Sequence, residues 1–93
     1  MVIGLLSLEI FLPYSQSLKD KRRVLCAFRD RVRSRFNVAL AELDYQEKWQ
    51  RALVGVVALN SQKAFVDQVL QKVLHEAERH LEGEITHSEV LYF

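Results

Sequence analysis

The chain of 93 residues has one cysteine, one proline, one tryptophan and three glycines, and the scarcities narrow what it can be. A lone Cys26 cannot close an internal disulfide, and with no second thiol a partly buried, inert role is expected for it. His75, His80 and His87 supply no metal set, because His75 and His80 are five positions apart and fall on different faces of one helix. So few glycines leave no GXXG loop and no phosphate cradle, since the turn after the first apolar run reads Pro13-Tyr14-Ser15-Gln16-Ser17. No apolar stretch approaches the roughly twenty residues that cross a bilayer. The run Val2 to Leu12 is interrupted by Ser7 and Glu9, closed by Pro13, and lacks a basic leader and cleavage site. A cytoplasmic protein without metal, cofactor, membrane span or catalytic motif is expected, and not an enzyme.

What is present is an uneven distribution of charge. Ser17 to Arg35 holds eight of the thirteen Lys and Arg residues against two acids, Asp20 and Asp30, for a net charge of +6. The remainder has five bases and ten acids, for −5, so the formal total of +1 conceals one electropositive segment. Lys19, Lys21, Arg22 and Arg23 crowd the first turns of what reads as a helix. Cations there oppose the helix dipole by about 0.3 to 1 kcal/mol each. The cluster therefore points either to an anion held against it or to a solvated face.

Val2 to Leu12 places Val2, Leu6, Leu8, Ile10 and Leu12 on one face around Gly4, which reads as strand one. Ser17 with Asp20 has the form of a capping box, and Leu18, Leu25, Phe28, Val32 and Phe36 form the apolar stripe of helix one. Asn37 to Asp44 alternates loosely and fits an edge strand. Ala52 to Leu59 carries no charge and reads as a central strand buried on both faces. Helix two is expected to start at Asn60 or Ser61, to bury Phe65, Val69, Leu70, Val73, Ala77 and Leu81, and to end on Gly83 as a left-handed cap. Glu84 to Phe93 reads as a second edge strand, and the acids Glu76, Glu78, Glu82, Glu84 and Glu89 near it as solvated.

The order βαββαβ, with room for only one domain over residues 1–93, predicts a ferredoxin-like α+β sandwich. Its four-stranded antiparallel sheet takes the order 4-1-3-2, with two helices on one face. That topology brings the hairpin carrying Tyr45, Lys48, Trp49 and Arg51 to the same end as the start of helix one. It also leaves the other sheet face, with Ile3, Leu5, Ser7, Glu9 and Phe11 from strand one, uncovered, and such a face favours a homodimer.

Ser17-Leu18-Lys19-Asp20-Lys21-Arg22, with Phe36-Asn37-Val38, Ala41-Glu42 and Trp49-Gln50-Arg51-Ala52, resembles the YlxP-like family of small bacterial proteins nearly end to end. The resemblance implies a ferredoxin-like fold and genes that sit near those of translation initiation and ribosome maturation. The chain departs from the family's tendency at Ala39 and Leu40, where Ser and Val are usual, and at Glu47-Lys48, where Asp commonly precedes Trp49.

At 100° per residue, Lys19, Arg22, Arg23, Arg29 and Arg33 fall within a sector of roughly 120°, a spacing suited to a phosphate backbone. The sequence reading is an RNA or ribonucleoprotein-binding protein. Lys19, Lys21, Arg22, Arg23, Arg29 and Arg33 would contact phosphates, and Tyr45 and Trp49 would be secondary stacking contacts. Trp49 alternatively folds back over the sheet end, the reading its size favours. No sequence reading of DNA or RNA is expected, because Ala52 to Leu59 has no stacking aromatics. The rival function is a protein-protein or small-ligand module working through the open sheet face and the hairpin aromatics.

Overall fold

In the computed structural model, which describes residues 1–93, the chain runs β1 (Val2–Phe11), α1 (Leu18–Arg35), β2 (Ala39–Asp44), β3 (Arg51–Asn60), α2 (Lys63–His80) and β4 (Glu84–Tyr92). The strands form one antiparallel sheet in the order β2-β3-β1-β4, the predicted order read from the opposite edge. Leu6, Leu8 and Ile10 alternate onto the helix face of β1, Leu12 continues the row just past its end, and all four are buried, as the period of two requires. They meet Ala52, Val54, Val56 and Ala58 of β3 beneath Leu25, Phe28 and Val32 of α1 and Val66, Leu70, Val73 and Ala77 of α2. Gly4 admits α2 closely: a Cβ there would lie 2.5 Å from Val66 Cγ1 and 2.9 Å from Leu70 Cδ1.

Ser17 caps α1 as expected, its Oγ accepting from Asp20 N–H at 3.0 Å. The return bond shifts by one residue, because Asp20 Oδ2 accepts from Gln16 N–H at 3.0 Å. Helix two departs further from expectation. Asn60 remains paired with Val2 in β3, and its Oδ1 accepts from Gln62 N–H at 3.0 Å, so the helix begins only at Lys63. The buried stripe is Val66, Leu70, Val73 and Ala77, which leaves Phe65 52 % exposed and Val69 half-buried. Gly83 is not left-handed, since no glycine has positive φ. The helix closes instead through Leu81 N–H to Ala77 O at 3.1 Å.

β3 is buried on one face only. Both helices lie on the side of Val54, Val56 and Ala58, so Val57 and Leu59 on the other side remain exposed. An uncharged strand is compatible with an open sheet face as well as with a doubly covered one. Glu76 is likewise no solvated carboxylate. It is buried between the helices, accepting from Arg35 Nη1 at 2.5 Å and lying 3.7 Å from Arg31 Nη1.

Candidate functional site

Lys21, one of the six basic residues expected to hold phosphate, is 1 % exposed. Its Nζ donates to Tyr45 O at 2.7 Å, Arg51 O at 3.2 Å and Gln46 O at 3.4 Å, and sits 2.7 Å from Glu42 Oε2. An ammonium has three protons and no acceptor capacity, so carbonyls and a carboxylate converging on it leave nothing for a ligand. The phosphate role is therefore corrected: Lys21 is a strut joining the start of α1 to the hairpin between β2 and β3. A signal for this was present in the sequence. Lys21 precedes Leu25, Phe28 and Val32 at spacings of four, three and four, which puts it on the apolar stripe.

The strut explains an unusual backbone. Tyr45 has φ of 64°, a left-handed conformation that a non-glycine residue adopts at a cost of about 1 to 2 kcal/mol. Asp44 Oδ1 accepts from Tyr45 N–H at 2.7 Å, and Tyr45 O accepts from Lys48 N–H at 2.9 Å in addition to Lys21. Gln50 Nε2 donates to Pro13 O and Ser15 O, both at 3.2 Å, tying the hairpin to the turn before α1. The expectation that these two segments share one end of the sheet is met.

Five of the predicted cations remain on the outer surface of α1: Lys19, Arg22, Arg23 and Arg33 are exposed and Arg29 is half-buried. They differ in company. Arg23 lies 3.5 Å from Asp20, and Arg29 lies 3.3 Å from Asp30. Arg31 and Arg35 turn toward α2 and share Glu76. Lys19, Arg22 and Arg33 have no acidic partner. Arg22 and Arg29 flank a shallow groove of about 170 Å³ between α1 and the edge strand β2. Cys26 lines the same groove and is exposed, where a partly buried thiol was expected.

The hairpin aromatics divide. Tyr45 is half-buried beneath Arg51, whose guanidinium carbon lies 4.1 Å from the ring centroid, and Arg51 is itself paired with Glu9 at 3.0 Å. That face of the ring is occupied. Trp49 does not fold over the sheet end. It is 55 % exposed and lines a cleft of about 690 Å³ with Phe11, Lys48, Gln50, Arg51 and Thr86. The cleft opens where β4 bulges, Thr86 being the extra residue between the pairs Glu9–His87 and Ile10–Ile85. Thr86 enters only through the bulged pairing of β4 with β1, and Phe11 through its pairing with Arg51 of β3, long-range contacts that have no local sign in the sequence. No group of three or more His, Cys, Asp or Glu side chains is placed to hold a metal ion, and no helix is long and apolar enough to cross a membrane.

The fold and this surface define a small ferredoxin-like α+β protein whose first helix presents a partly unneutralised row of cations. The chain belongs to the family described as Protein of unknown function (DUF503), which residues 3–90 match. It is 38 % identical over 73 residues to the uncharacterized protein YlxP of Bacillus subtilis (strain 168), covering 78 % of this chain and 79 % of that one. The resemblance to YlxP-like proteins is thereby borne out. Among solved structures, the de novo designed protein Ferredog-Diesel aligns over 96 % of this chain and 83 % of its own, at 17 % identity and a TM-score of 0.48.

Proposed function

We propose that this protein is a non-enzymatic accessory factor that binds RNA or a ribonucleoprotein through the outer face of α1, in translation or ribosome maturation. One observation carries the reading. Lys19, Arg22 and Arg33 occupy one sector of the helix without an acid to neutralise them, although six of the ten acids in the rest of the chain form no ion pair. A merely solvated face needs no such segregation, whereas phosphates spaced along a backbone would complete it. Arg23 and Arg29 keep exposed pairs with Asp20 and Asp30, which are weak and exchange readily for phosphate. The contacts are to backbone and shape, without base reading.

Binding to structured RNA and to isolated ribosomal subunits over a salt series tests this. Five phosphate contacts give a log-log slope of about −3.5 to −4.5. The Arg22→Glu/Arg33→Glu variant is expected to abolish binding while its circular dichroism is unchanged. A shallow slope, or full binding by the variant, would refute the reading and turn attention to the Trp49 cleft.

A further inference from the structure

The open face of the sheet is divided along its length. Registered rows place Ile3 beside Leu59 and Leu5 beside Val57, with Leu91 next to Leu5 and Phe93 bonded through its backbone to Ile3. These six side chains form a block without a charge, and Leu59 and Phe93 are 60 % and 71 % exposed. The following rows turn polar: Ser7 pairs with Gly55 and Glu89, then Glu9 with His87. Leu43 and Leu5 close over Gly55, where a Cβ would lie 2.7 Å from Leu43 Cδ1 and 3.1 Å from Leu5 Cδ1, so no knob stands up at mid-sheet.

We infer that a second copy of this chain covers the face, sheet against sheet, about a two-fold axis running along the strands between β1 and β3. Such an axis keeps each row level and exchanges β1 with β3. Ile3 then meets the partner's Leu59 and Leu5 meets the partner's Val57, while Ser7 falls opposite the partner's Leu43 and the partner's Leu5 where they cover Gly55. Within the block apolar side chains oppose apolar ones, which is the self-complementarity an isologous interface needs. Aligned sheets pack in this way about 10 Å apart, with strands crossing at about 30°. Glu9 enters the margin already paired to Arg51 at 3.0 Å, and the unpaired Glu89 of the Ser7 row stands on the exposed edge strand β4, where it can stay in water.

The area of the whole face approaches what a dimer needs. Strands of 10, 6, 10 and 9 residues, at about 3.3 Å per residue and about 4.8 Å apart, give a flat footprint of about 550 Å² before side-chain relief is counted. A stable interface buries about 800 Å² per partner, whereas the largest apolar patch on an ordinary monomer is about 300 to 600 Å². A polyanion has nothing to hold in an uncharged block, so the inference is independent of the RNA reading. It would leave both α1 faces on the outer layers of the dimer.

Sedimentation equilibrium of the full chain is expected to give a dimer at micromolar concentration. Leu59→Glu should weaken association about 100-fold, because each copy then buries an unpaired carboxylate in apolar contact. Leu91→Glu, at a second exposed position on the face, serves if the first variant folds poorly by circular dichroism. Phe65→Glu, on the helix layer, should leave the dimer intact, as should Arg22→Glu/Arg33→Glu, while Leu59→Glu should still bind RNA. A monomeric wild type at about 100 μM, or a dimer that survives both sheet-face substitutions, would overturn the inference.

Discussion

Replacing Lys21 by Met tests how much of the architecture depends on one buried ammonium. The isosteric change keeps the stem packed near Leu25 but removes the donor shared by three carbonyls and Glu42. Breaking a buried ion pair costs about 3 to 5 kcal/mol, mostly because the surviving charge is stranded. The Glu42 side chain is 23 % exposed but the oxygen facing Lys21 is buried, so water only partly replaces its partner and the loss is at least about 3 kcal/mol. Total stability for a chain of this length is about 5 to 14 kcal/mol, so the loss is a large share. At a urea m-value of about 1.5 kcal/mol/M the midpoint should fall by at least about 2 M. Lys19→Met, on the exposed face, should move it by no more than about 0.5 kcal/mol. Adding Glu42→Gln to Lys21→Met should restore part of the loss, because the stranded charge is gone. If Lys21→Met cost less than about 1 kcal/mol, the strut assignment would be wrong and the phosphate role for Lys21 would return.

Gly4→Ala should cost about 1 to 3 kcal/mol in the same denaturation assay, because its Cβ would meet Val66 and Leu70 of α2 below contact distance; a neutral change would show that α2 lifts away freely. Ser17→Ala should cost about 1 kcal/mol by removing the cap on Asp20 N–H, and Ser17→Gly less. The Tyr92 hydroxyl donates to Asp67, and with Lys63 beside it this holds the Asp67 carboxyl below its ordinary 3.8. Its contribution to stability is therefore present above that value and lost as pH falls through the depressed one. Tyr92 and Lys63 are raised, chiefly by their hydrogen bonds to Asp67, so theirs is present below their ordinary values and lost as pH rises through the raised ones. Tyr92→Phe should move Asp67 up toward 3.8 in a carboxyl carbon-13 titration, and an unmoved titration would mean the contact is absent in solution.

Local pattern was enough to specify the element order, the strand alternation of β1, the Ser17 cap and the segregation of charge into one helix, because each depends only on spacing along the chain. The same rule misassigned Lys21, because a Lys is scored as polar even when it occupies an apolar position of the stripe. Only the docking of the hairpin brings Tyr45 O, Gln46 O, Arg51 O and Glu42 within reach of its Nζ, and without those acceptors the position would be untenable for a charge. Tertiary structure likewise decided which cations are neutralised. Glu76 lies 41 residues from Arg35 in sequence and reaches it only because α1 and α2 pack side by side. Lys19, Arg22 and Arg33 point away from that contact and stay unpaired. Composition determined that the chain has a basic helix, and long-range packing determined which of its charges are left over, since an ion pair needs two side chains brought together in space.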